Sequence, residues 1–168
     1  MKRFAVVLAS VVVLMAAVAL AQDQGTMTAP ATLKFTNFPN FPKCVTGAVV
    51  HGDPGSDQGA TILAKLTAGC SVPWHFHSVN EQIGIVSGSV KAEMKDAKPQ
   101  VLGPGGFAFF PAKHVHQATC TTACMFFIAT EGKFDIHYVD KDGNEIPFDQ
   151  AVKAKPATTK GGKAAPKK

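Results

Sequence analysis

Between Val45 and Val139 the chain is a succession of short β-type segments, and nothing in it repeats apolar residues with the period of a helix. In Ser89–Met94 the apolar Val90, Ala92 and Met94 alternate with Ser89, Lys91 and Glu93. Lys133–Val139 repeats the device, setting Phe134, Ile136 and Tyr138 against Asp135 and His137. Successive side chains of a strand point to opposite faces, so this alternation suits sheets with one buried face. Thr61–Thr67, Gln82–Val86, His114–Ala118 and Ala123–Ala129 are further expected strands. Ser87-Gly88, Thr121-Thr122 and Asp142-Gly143 mark tight turns, the second of them a hairpin tip. The pattern predicts an all-β domain, a sandwich or small barrel, and excludes a coiled coil or a helical solenoid.

The two ends read differently. Met1-Lys2-Arg3 precedes an apolar run, Phe4–Leu20, and Ala19-Leu20-Ala21 offers a cleavage site before polar chain. This predicts a Sec-type signal peptide cut after Ala21, and hence a periplasmic or secreted protein; a retained membrane anchor is the competing reading of the same run. Residues 150–168 are low in complexity and rich in Lys, Ala and Pro, which predicts a disordered tail able to make weak contact with the cell envelope. The net charge of +5 comes from these ends. Residues 22–152 hold 9 lysines and no arginine against 12 acidic residues, so the body is mildly acidic. A fold that grips phosphate clusters Arg and Lys on one face, and nucleic acid is therefore not an expected partner.

Four of the six histidines form two His-x-His pairs, His75 with His77 and His114 with His116. On a strand each pair would direct both imidazoles to one face. Glu81 opens Glu-Gln-Ile-Gly-Ile-Val, in which it shares a face with Ile83 and Ile85. A carboxylate pointing where apolar side chains point needs a partner, and a metal ion is an economical one. Trp74 and Phe76 fall on the other face and read as packing; Phe107, Phe109 and Phe110 read as core; His51 and His137 carry no assigned role.

The spacing resembles the cupin superfamily. The family's first motif, Gly-x5-His-x-His-x3/4-Glu-x6-Gly, is matched without a gap by Gly69, His75, His77, Glu81 and Gly88. Its second, Gly-x5-Pro-x-Gly-x2-His-x3-Asn, is matched by Gly105, Pro111 and His116, with Lys113 in place of the glycine and Cys120 in place of the asparagine. The resemblance implies a jelly-roll barrel over residues 44–140, between an N-terminal arm at 22–43 and a C-terminal extension at 141–149 that leads into the tail. It also implies that His75, His77, Glu81 and His116 bind a divalent transition metal. His114 shares a face with His116 if the strand already begins there, which makes it a second-shell group or an acid/base at the mouth; the other reading is a rim histidine without a role. Three imidazoles and a carboxylate suit Zn, Cu, Ni, Fe or Mn. An exported chain that meets its metal outside the cytoplasm favours Zn or Cu.

Cys44, Cys70, Cys120 and Cys124 allow three pairings. The Thr-Thr-Ala between the last two suggests Cys120–Cys124, which leaves Cys44–Cys70; a thiolate metal site is the rival reading. The expected function is a metal-dependent enzyme, a dioxygenase, isomerase or relative, acting on a small oxygen-rich molecule that chelates the ion. The alternative is a non-catalytic metal- or ligand-binding sensor module. A homodimer is compatible with either.

Overall fold

The computed structural model describes residues 25–153. The leader and all but the first four positions of the Lys-rich tail lie outside the described residues. Among the described residues, ten strands build two five-stranded antiparallel sheets that face each other. One sheet has the order β1 (Val45–Gly52), β2 (Ala60–Leu66), β9 (Cys124–Thr130), β4 (Glu81–Ser87) and β7 (Phe107–Phe110). The other has β10 (His137–Tyr138), β3 (Ser71–Phe76), β8 (His116–Cys120), β5 (Val90–Met94) and β6 (Gln100–Leu102). The domain is thus an all-β jelly-roll sandwich, as its alternating segments predict.

The core lies between the sheets and follows the period of two. Ile62, Ala64 and Leu66 on β2, Ile83 and Ile85 on β4, and Val90 and Ala92 on β5 are buried. A short helix, α1 (Phe148–Ala151), closes one side and buries Ala151, so ordered chain crosses the boundary drawn at residue 150 between extension and tail. The arm before β1 is bound to the barrel by the Thr36–Gly47 bridge and by the Tyr138 hydroxyl, which donates to the Asn40 carbonyl at 2.7 Å.

Several expected elements differ, each for a visible reason. Of Lys133–Val139 only His137 and Tyr138 pair as a strand. The backbone just before them is engaged elsewhere, with Phe134 N–H donating to the Pro54 carbonyl at 2.8 Å and the Asp135 carbonyl accepting from a side chain. β8 begins at His116 rather than His114, because Pro111–His114 form a turn closed by His114 N–H to the Pro111 carbonyl, 3.0 Å. Thr121-Thr122 is no hairpin tip: β8 and β9 belong to different sheets, and the segment passes from one to the other. Gly88, with φ of 77°, turns the chain between β4 and β5 where a Cβ would lie 2.1 Å from the Ala123 carbonyl oxygen, so only glycine fits.

Candidate metal centre

The two sheets bring four polar side chains into an otherwise apolar interior. His75 on β3 and His116 on β8 are directly paired across the strands, and His77 follows β3 immediately. Glu81, the first residue of β4, reaches in from the opposite sheet. All four are buried, at 2–6% exposure. A bulge between Val72 and His75 permits this: Val72 and His75 both point inward although three residues apart, which strict alternation forbids.

Each imidazole is held from behind by a backbone carbonyl. His75 Nδ1 meets the Pro73 carbonyl at 2.6 Å, His116 Nδ1 meets that of His114 at 2.8 Å, and His77 Nδ1 meets that of Asp135. A carbonyl can only accept, so every Nδ1 carries the proton and donates. In the neutral rings each Nε2 is then a lone pair. The ligating atoms of the three rings lie within 4.8 Å of one another. His77 Nε2 and His116 Nε2 are buried without a hydrogen-bond partner, 3.4 and 3.2 Å from Glu81 Oε2.

Three lone pairs and a carboxylate converging in an apolar box require a cation. Without a metal, the cation is a proton. Burial lowers the basicity of His75, and nearby His116 and His77 lower it further, so it stays neutral well below the usual imidazole range. Burial also lowers that of His77, but the Glu81 carboxylate outweighs it and the net shift is upward. Burial would raise the Glu81 carboxyl, yet His77 and His116 hold it well below the usual carboxylate range. A divalent ion satisfies the same donors together, and three imidazole nitrogens with one carboxylate oxygen form a borderline set suited to Zn, Cu, Ni, Fe or Mn. The residues fit the group.

Around the four polar groups the wall is apolar. Phe110 stacks on His116 at 4.0 Å and Phe134 tilts over His77 at 4.9 Å. Phe41, from the arm, stacks on Phe134 at 5.9 Å. The cavity is about 40 Å³, and besides the four polar residues its described lining is entirely apolar.

The structure places the remaining sequence-predicted residues as follows. His114 is half-buried in the turn before β8 and is not among the residues that line the cavity; its carbonyl accepts from His116 Nδ1. Phe110 is core, whereas Phe107 and Phe109 are exposed at 59% and 44% on the outer side of β7. Lys113 adopts φ of 63°, the conformation for which glycine is suited, and its N–H donates to the His77 carbonyl at 2.8 Å. The turn of the second motif therefore forms with lysine in the left-handed region. Cys44 is joined to Cys70 and Cys120 to Cys124, the second bond linking the two sheets. No cysteine is free among the described residues, and none belongs to the cluster. Paired cysteines are the usage of an oxidising compartment. Phe41 and Asp135 carry no motif and are recognisable only once the fold assembles them.

Comparison with known proteins agrees with this geometry. Residues 62–131 match the cupin domain model. A 74-residue stretch is 34% identical to the dimethylsulfoniopropionate lyase DddQ of Ruegeria pomeroyi; it takes in 44% of this chain and only about a third (35%) of that protein's length. Among solved structures, the polyketide cyclase RemF of Streptomyces resistomycificus superposes with a TM-score of 0.59 at 20% identity, covering 71% of this chain and 90% of its own. KdgF from a Halomonas species superposes with a TM-score of 0.53 at 16% identity, covering 63% and 94%. These similarities speak for the fold alone. Domain match, sheet topology and the register of the two motifs together identify a cupin domain in this chain.

Proposed function

We propose that the protein binds one divalent transition metal through His75, His77, Glu81 and His116 and that a small oxygen-rich molecule reaches the ion through one or two of its oxygens. The observation that carries the metal is the pair of buried, unpartnered Nε2 atoms facing Glu81. A bound ion would supply Lewis acidity to a carbonyl or carboxylate oxygen. The chain's own part is to orient three imidazoles by their backbone carbonyls, to hold a compensating carboxylate, and to exclude bulk water with Phe41, Phe110 and Phe134. Because the rest of the described lining is apolar, no side chain beyond the ligands is placed to exchange a proton. The chemistry is then limited to what the ion and its ligands polarise. The stretch similar to a lyase of dimethylsulfoniopropionate supports a small carboxylate as the ligand class.

A second reading has its own observation. A cavity of about 40 Å³ is room for an ion and a water or two, which favours a structural or sensing ion. The paired cysteines and the leader-like N-terminus support export to the periplasm or beyond, and Zn or Cu as the ion acquired there. The two readings separate in Co(II)-loaded protein titrated with oxalate and with dimethylsulfoniopropionate. A change in the visible d–d bands upholds an open, ligand-accepting ion. Unchanged bands at millimolar ligand reject it in favour of the closed ion.

A further inference from the structure

Outside the barrel wall, the segment Asp135-Ile136-His137 grips the His75-Phe76-His77-Ser78 segment at five points. The backbone of β10 pairs with β3, His137 opposite Phe76 and Tyr138 opposite His75. The His137 ring lies flat on Phe76, centroids 4.8 Å apart and planes 5° apart, and Phe76 is the residue between the two ligands. The Asp135 carbonyl accepts from His77 Nδ1. Asp135 Oδ1 accepts from Ser78 N–H at 2.8 Å. His137 Nε2 lies 3.3 Å from both Asp135 Oδ2 and Ser78 Oγ, and its Nδ1 lies 3.1 Å from Glu145 Oε2.

The three ligand histidines differ in this respect. His75 and His116 are each oriented by the carbonyl two residues earlier on their own segment. Such a bond comes with the local chain. His77 takes its carbonyl from a residue 58 positions away, on a segment that is irregular just there. Nothing local to His77 fixes its ring, so its aim depends on how firmly Asp135 is held. The Asp135 side chain supplies that hold by bonding the very next residue, Ser78, and by facing His137.

We propose that Asp135 is a positioning residue for the metal, with His137 as its outer support: together they fix the Asp135 carbonyl against His77 Nδ1 and so direct His77 Nε2 at the ion. This rests on the metal reading above. It adds to that reading two residues that touch neither the ion nor the cavity, and it assigns a role to the otherwise unassigned His137. Partners that orient a ligating imidazole typically contribute 10–100-fold in metal affinity.

The test measures Zn(II) affinity by competition with a chromophoric chelator, together with the d–d spectrum of Co(II)-saturated protein and the Tm of metal-free protein. The proteins are wild type, Asp135→Ala, Asp135→Asn and His137→Phe. Asp135→Ala should bind about 10–100-fold more weakly, with altered d–d bands at saturation. Asp135→Asn keeps an oxygen for Ser78 N–H and should recover most of that loss. His137→Phe keeps the stack on Phe76 but loses both nitrogens, and should fall between wild type and Asp135→Ala with little change in metal-free Tm. Wild-type affinity in both Asp135→Ala and His137→Phe overturns the proposal alone. A lower metal-free Tm with unchanged affinity and bands in the folded variants also overturns it, because that pattern marks a purely structural role. Failure of wild type to bind Zn(II) or Co(II) overturns the metal reading and this proposal with it.

Discussion

His75 and His116 face each other across β3 and β8 with ring centroids 4.3 Å apart, and the Nδ1 of each donates to the carbonyl two residues before it. The same local device thus sits on both strands. It turns each Nε2 inward at the cost of no side-chain partner, which leaves the interior side of both rings available to a cation.

Metal-free protein should show this electrostatic arrangement in its pH dependence. His75 has a folded pKa well below 6.5, so below pH 6.5 the unfolded chain binds more protons at this position than the folded one. Its contribution to stability is therefore intact above pH 6.5 and is lost as pH falls from there toward the lowered folded value. The stability of chelator-treated wild type relative to His75→Gln should decrease on acidification through that window, as read by urea unfolding at a series of pH values. A difference that is flat or grows with acid would contradict the assignment.

Lys113 occupies the left-handed region at φ of 63° while exposed to solvent. Left-handed backbone disfavours residues with a Cβ by about 1–2 kcal/mol, and glycine returns part of that through its freer unfolded chain. Lys113→Gly should raise stability by about 0.5 kcal/mol, whereas the β-branched Lys113→Val should lower it by about 1–2 kcal/mol. Urea midpoints of the three proteins check the order.

Phe41 lines the cavity from the arm and is half-buried against Phe134. Phe41→Ala should enlarge the chamber at a cost of about 1–2 kcal/mol, below the range for a fully buried phenylalanine. Chelator stripping of bound metal should quicken several-fold in stopped-flow measurement. An unchanged stripping rate would mean that the ion exchanges by another route.

The Cys44–Cys70 bond spans a sequence separation of 26 and fixes the end of the same arm. Closing a loop of that size removes unfolded-state entropy equivalent to about 3.5 kcal/mol. The double change Cys44→Ser, Cys70→Ser should lower unfolding free energy by about that amount in denaturant titration. A loss below about 1 kcal/mol would show that the bond does not constrain the unfolded chain.

Much of the barrel could be read from alternation and turn residues, because those signals are local. Gln82–Val86 lies within β4, and Val90, Ala92 and Met94 do share one face of β5. The spacing of His75, His77, Glu81 and His116 likewise survives folding, since it places His75 and His116 on paired strands, His77 just past β3 and Glu81 at the start of β4 in the facing sheet. What could not be read is what depends on distant chain. β3 contains Pro73 and a bulge, so its alternation fails and it is not recognisable as a strand from pattern. The passage from β8 to β9 has the composition of a hairpin tip but changes sheets. The carbonyl that orients His77 belongs to Asp135, whose sequence context suggests a polar face of a strand and nothing more.

The central claim is that the buried cluster is a metal site, and metal stoichiometry tests it most directly. Untagged wild type and His75→Ala, each exposed to Zn(II) under anaerobic conditions, desalted and analysed by elemental mass spectrometry, should retain about one ion per chain and almost none, respectively. Wild-type protein that keeps no Zn(II), and none of Cu, Ni, Mn or Fe offered in the same way, would contradict the account; so would equal retention by His75→Ala.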